Sequence, residues 1–135
     1  MNDRYLYRTK RKNWRELPKE MWWVEGYYAY FKQNDNHCIY YEVDGFTLVC
    51  DIDISTLCAC TGLKDKNGKL IWENDIMVAH IDDSFPEDAT YTRVVWNNNG
   101  FCTKEQGSED ILPLDKFDQE YFEVCGNLFD NPELL

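Results

Sequence analysis

The stretch Ile39-Tyr40-Tyr41-Glu42-Val43-Asp44-Gly45-Phe46-Thr47-Leu48-Val49-Cys50 decides the fold class. Asp-Gly is a favoured two-residue hairpin turn because both central positions need φ > 0, which Gly adopts freely and Asp tolerates. Closing the chain there pairs Val43 with Phe46, Tyr41 with Leu48, and Ile39 with Cys50 on one face. Glu42 with Thr47 and Tyr40 with Val49 fall on the other. One face is wholly apolar and the other mixed, the pattern of an antiparallel sheet packed mainly on one side.

Working outward, strand signals dominate. Tyr5-Leu6-Tyr7 and Met21-Trp22-Trp23-Val24 are β-prone, and Tyr27–Phe31 continues the second run past Gly26. A glycine inside such a run marks a bulge or a close backbone approach. A second hairpin is expected around Lys64–Lys69. Its loop is either Asn67-Gly68 alone or a four-residue Asp65–Gly68 turn. Further strands are predicted at Leu70–Trp72, Ile76–Ile81, Tyr91–Trp96, Phe101–Lys104 and Tyr121–Cys125, with loops at Asp82–Ala89 and Asn97–Gly100. Leu114–Gln119 offers one helical turn, and no segment sustains a 3.6-residue period. The expected fold is mainly β: short antiparallel strands and hairpins in an SH3-like barrel or sandwich, with little helix.

With 135 residues and 44% hydrophobic content, the chain is sized for one domain and too apolar to be disordered. No stretch approaches the roughly 20 apolar residues of a membrane helix, and no apolar run follows the first positive charges. The expectation is a cytoplasmic protein with no membrane partner and its six cysteines mostly reduced. Charge is uneven: residues 1–20 carry seven Lys/Arg against three Asp/Glu, and residues 21–135 carry seven against 22. Glu105 to Glu133 alone holds nine acids against one lysine. A basic head on an acidic body invites pairing between copies, whereas the plain reading is a solvated, charged surface.

Two segments then stand out. The first is Thr61-Gly62-Leu63-Lys64-Asp65-Lys66-Asn67-Gly68-Lys69-Leu70-Ile71-Trp72-Glu73-Asn74-Asp75-Ile76. The second is Phe122-Glu123-Val124-Cys125-Gly126-Asn127-Leu128-Phe129-Asp130-Asn131-Pro132-Glu133-Leu134-Leu135. Both resemble signature motifs of the YopX-like family of phage and prophage proteins. Tyr5–Arg8 and Trp23–Tyr28 are similar to the family's opening strands. Asn74 stands where the family usually has Gly, and Asn is the next-best residue for left-handed backbone. The resemblance implies a single β domain over 1–135, with N-terminal strands and hairpin in 1–56. The signature hairpin and an SH3-like barrel part then occupy 57–135. It implies no activity and no cofactor. On it, Thr61, Gly62, Leu63, Asp65, Asn67, Gly68, Trp72, Glu73 and Asp75 form a candidate signature loop, structural or binding.

Catalytic and metal chemistry have thin support. Cys58-Ala59-Cys60 places two thiols on one face of a strand, with His37, Cys38 and His80 as conceivable co-ligands. However, no second pair stands at a zinc-site spacing. Asp51 and Asp53, and Glu73 and Asp75, are pairs that a metal-dependent hydrolase would use. In a chain with 25 acidic residues such pairs arise freely. Neither histidine has a Ser or Cys triad context, and no nucleotide-binding glycine motif occurs. Arg8, Lys10, Arg11, Lys12, Trp14 and Arg15 are candidate nucleic-acid contacts, since basic groups neutralise phosphates and exposed rings stack on bases. The leading expectation is an interaction protein that binds an unidentified host or phage protein and forms homo-oligomers. Its acidic run would mimic nucleic acid on a basic partner site.

Overall fold

The computed structural model describes residues 5–80, 88–98 and 100–135. Strands follow one another as β1 (Tyr7–Lys10), β2 (Trp23–Phe31), β3 (Asn36–Val43), β4 (Phe46–Asp51), β5 (Cys58–Lys64), β6 (Leu70–Trp72), β7 (Asp75–His80), β8 (Ala89–Asn97), β9 (Gly100–Glu105), β10 (Ile111–Pro113) and β11 (Glu123–Asn127). A single α-helix among the described residues, α1 (Lys116–Tyr121), precedes β11, and a few one-turn 3-10 segments link the strands. The strands form two antiparallel sheets, ordered β4-β3-β2-β1-β5-β6 and β10-β9-β8-β7-β11, so the protein is mainly β. The chain divides into two compact units, Met1–Cys60 and Thr61–Leu135.

In the first unit, the Asp44-Gly45 turn forms with φ of +50° and +83°. All five expected cross-strand pairs are present: Val43–Phe46, Glu42–Thr47, Tyr41–Leu48, Tyr40–Val49 and Ile39–Cys50. Only the base of this hairpin is buried. Ile39 packs with Val24 and Ile52 in a small core flanked by Tyr7, Tyr28, Tyr41 and Leu57. Toward the tip, the same apolar face carries exposed Val43, Phe46 and Leu48. The first strand sits later than its aromatic residues suggest, at Tyr7–Lys10 rather than Tyr5–Tyr7. Alternation explains the shift. Tyr7 and Thr9 face the core while Arg8 and Lys10 lie on the tryptophan-covered side. Gly26 is buried against β3, and a β-carbon there would run into the Tyr40 carbonyl.

In the second unit, Asp65–Gly68 forms the four-residue turn, with the Gly68 N–H donating to the Asp65 carbonyl (3.0 Å) and Gly68 at φ +81°. The Asp65 N–H also donates to the Lys69 carbonyl (2.8 Å), giving a type I turn with a left-handed glycine before β6. Asn74 takes φ +69°, as the glycine it replaces would. The core gathers Ile71, Met77, Val94 and Phe122 with Leu63, Phe101, Leu114 and Val124. The strand β10 carries no recognised sequence signal. Pro113 is tolerated there because β10 is the edge of its sheet. Helix α1 starts two residues beyond the expected helical turn, because Leu114 still donates to the Phe101 carbonyl and Asp115 then caps Phe117 and Asp118. Most of the loop expected at Asp82–Ala89 lies outside the described residues, as does Asn99. Asn97 pairs with Gly100 around Asn98, which has φ +52°.

Replacing Gly26 with Ala should destabilise the protein by about 1–3 kcal/mol, the usual cost of overpacking against fixed backbone. Urea unfolding checks this, and an unchanged midpoint would show that β3 yields freely.

Candidate functional site

The signature hairpin is organised by one carboxylate. Asp65 is only 6% exposed, and its Oδ1 accepts the N–H groups of Asn67 and Lys69, each at 2.9 Å. Its Oδ2 accepts the N–H of Val124 at 2.8 Å. The same loop donates from the Lys66 N–H to the Phe122 carbonyl (3.1 Å) and from the Asn67 side chain to Glu123 (2.9 Å). One turn therefore holds three consecutive residues of the C-terminal motif.

A second set of contacts repeats the docking at the other end of β7. The Asn74 N–H donates to the Val94 carbonyl (2.8 Å), and the Asn74 carbonyl accepts from Leu128 (2.9 Å). The fully buried Asp75 accepts the Trp72 N–H at 2.8 Å and lies opposite Asn127 in the ladder. Thr61 supports β6 by donating to the Ile71 carbonyl (2.7 Å) while accepting the Leu63 N–H (3.1 Å). Gly62 supplies a left-handed φ of +79°. In the C-terminal motif, Asn127 Oδ1 accepts from Phe129 and Asp130, and Asn131 Oδ1 accepts from Asn127. Thus Thr61, Gly62, Leu63, Asp65, Asn67, Gly68, Trp72, Glu73 and Asp75 are gathered in one unit, and most of their polar atoms serve backbone groups of that unit.

The N-terminal basic residues are drawn into aromatic packing instead. Lys10 is 3% exposed, with its Nζ 3.9 Å from the ring centre of Trp14, 4.6 Å from Trp22 and 5.5 Å from Trp23. These are cation–π distances. Arg8 lies over Trp23, Arg15 over Trp14, and Arg11 over Tyr41 while donating to the Met21 carbonyl. Lys12 and Arg15 border an open hollow of about 480 Å³ that Asp35 and Asp53 also line, so phosphate there would meet carboxylates as well as cations.

One carboxylate of each pair is likewise committed. Asp53 accepts from the Ser55 N–H and hydroxyl and from the Trp14 indole, and the Ser55 hydroxyl bond above all holds its carboxyl below the ordinary value. Asp75 is spent on Trp72. His37 stacks on Tyr28 and Tyr30 and hydrogen-bonds the Tyr28 hydroxyl (2.6 Å). Cys58 and Cys60 are both buried in β5. Among the described residues, no three His, Cys, Asp or Glu side chains converge as metal ligands. No helix among them is long and apolar enough to cross a membrane.

One feature escaped the sequence reading. A cavity of about 310 Å³ opens in the second unit between β8, β9, β10 and α1. Thr92 and Thr103 stand in the inward row that continues to Val94, and Glu105 is paired opposite Thr92. Alternation along Thr90-Tyr91-Thr92-Arg93-Val94 held the signal, since it places two hydroxyls in register with a core valine.

The family model described as YopX protein matches residues 10–135, and the chain belongs to that family. Its fold is similar to the crystal structure of protein EF1440 from Enterococcus faecalis. There the TM-score is 0.55 and the identity 19%, over 97% of this chain and 96% of that one. No curated protein matches the chain.

Asp65→Ala strands three backbone donors at once and should cost about 3 kcal/mol or more. Chemical denaturation of the full chain measures it, and a loss under about 1 kcal/mol would show that water replaces the carboxylate.

Proposed function

We propose that the protein acts by binding, engaging a basic surface on a phage or host protein with the acidic unit Thr61–Leu135. The observation that carries this reading is how charge divides between the two units. The first holds eight Lys/Arg against nine Asp/Glu, and the second holds six against 16. Glu109, Asp110, Asp115, Glu120 and Glu133 are exposed, and so are the Lys116 and Glu120 members of an i,i+4 pair. An exposed field of one sign steers association with the opposite sign and suppresses binding to polyanions. The commitment of Lys10, Arg8 and Arg11 to aromatic rings argues against nucleic acid as the main partner. The geometry of Asp53 and Asp75 argues against hydrolysis.

Affinity capture from bacterial lysate by the tagged full chain, with and without nuclease, tests it. The expected result is a basic protein that survives nuclease, elutes with salt, and is lost by a Glu109→Lys, Asp110→Lys, Glu120→Lys variant. Capture that vanishes with nuclease, or that the charge-reversed variant retains, overturns the reading.

A second reading is favoured by β4. This strand is the edge of its sheet, and Phe46–Cys50 carries no charge to discourage pairing. Phe46 is 72% exposed and Val49 54%. The occupant we favour is a second copy, because the same unit exposes Lys12, Arg15, Lys19 and Lys32 to meet another copy's Glu42, Asp44 and Asp51. Sedimentation should show a dimer that Leu48→Lys dissociates, and a monomer at every concentration would end this reading.

A further inference from the structure

The cavity beside α1 has the chemistry of a receptor rather than a packing fault. Its floor is the inward face of β8 and β9, where Thr92 is 3% exposed. The Thr92 hydroxyl is fully buried, yet it has no hydrogen-bond partner among the described residues. Leaving a buried hydroxyl unpaired costs about 1–3 kcal/mol, so a β-strand interior would favour Val at this position unless something bonds the oxygen. Thr103 lies in the same inward row and makes only a long, 3.5 Å contact to the Leu112 carbonyl.

Four carboxylates line the same cavity: Glu105, Asp110, Asp115 and Asp118. Asp118 is 8% exposed, and its Oδ2 is held by the Asp115 N–H at 3.0 Å, which fixes the side chain. Burial, reinforced by the Asp115 charge, pushes its carboxyl above the ordinary value, so a cation placed beside it would favour the ionised form. The rest of the lining is mixed, with Thr90 and Ser108 beside the rings of Phe117 and Phe122 and the side chains of Leu112 and Pro113. The carboxylates do not converge as metal ligands do. The fitting ligand is an extended cation with an apolar stem and a flat head that stacks on rings.

We propose that this cavity receives a single arginine side chain of a protein partner. Guanidinium N–H groups donate to the Thr92 hydroxyl and to the Asp118 and Glu105 carboxylates, and the planar head lies along the phenylalanine rings. A planar five-donor fork satisfies oxygens in several directions at once, whereas an ammonium is a compact point charge. The cavity volume falls at the small end of ligand sites, about 300 Å³ and upward, consistent with one side chain rather than a cofactor. This assignment rests on the reading that the acidic unit binds a basic protein, and it names the side chain that anchors the contact.

The test is titration of N-acetyl-arginine amide into the isotopically labelled full chain, read by amide chemical shifts. Saturable shifts are expected at Thr92, Thr103 and Asp118, with a Kd in the millimolar range for so small a probe. The lysine analogue should bind about tenfold more weakly, and the neutral citrulline analogue should not saturate. Thr92→Val keeps the side-chain shape, should leave the melting temperature unchanged or higher, and should weaken arginine binding about fivefold. No saturation on the wild-type chain overturns the assignment. So do equal, unsaturable shifts with arginine and lysine spread over the exposed carboxylates, which would be surface attraction only. The two proposals fail separately. Capture of a basic partner that Thr92→Val leaves intact, with no saturable arginine binding, sinks the cavity and spares the acidic surface. Saturable arginine binding without any captured partner does the reverse.

Discussion

The Thr61–Leu135 unit depends on a buried carboxylate that would be intolerable without partners. Removing Asp65 from water is costly, and three backbone N–H groups offset that cost by converging on its two oxygens. Two of those donors lie in its own turn and the third, Val124, lies 59 residues away. A local turn thereby becomes a long-range clamp, because the Asp65 geometry that closes the hairpin also holds β11 in register. The Phe122 carbonyl and the Glu123 side chain are bound by the same loop. Asn74 and Asp75 then repeat the arrangement on Leu128 and Asn127. The two segments that carry the family resemblance are in this sense one structural device. Their polar residues are explained by backbone satisfaction without invoking chemistry.

The contacts proposed above lie away from the signature. Most polar atoms of the signature hairpin face inward to their own unit, whereas exposed carboxylates stand elsewhere in that unit and exposed apolar side chains line the β3–β4 arm of the other. The Thr92 hydroxyl is the counter-example to the tidy accounting around Asp65. Both are buried, yet one has every oxygen engaged and the other has none among the described residues.

Much of the fold was legible because its signals are local. The Asp44-Gly45 turn dictates pairing by its own backbone requirement, so the register from Val43–Phe46 to Ile39–Cys50 follows from counting. Asn74 retains the left-handed turn for an equally local reason. The short strand β10 was invisible, since three edge residues including a proline carry no periodicity and owe their pairing to β9. The start of α1 moved because Leu114 found a carbonyl on Phe101, a partner that no propensity scale contains.

The candidate sites divide along the same line. That Arg8, Lys10, Arg11 and Arg15 cluster with tryptophans is plain in the sequence. Whether those cations face phosphates or rings is decided only when the segments after β1 bring Trp14 and Trp22 around the Lys10 ammonium. The apolar face of the hairpin was evident from alternation, but burial of its base and exposure of its tip depend on how far the core of Val24, Ile39 and Ile52 extends. By itself the sequence determined composition, charge division, turn types and strand register, because these are set by each residue and its near neighbours. Only the tertiary structure decided which polar groups are satisfied, since the partners of Asp65, Lys10 and Thr92 are assembled by contacts between segments far apart in the chain.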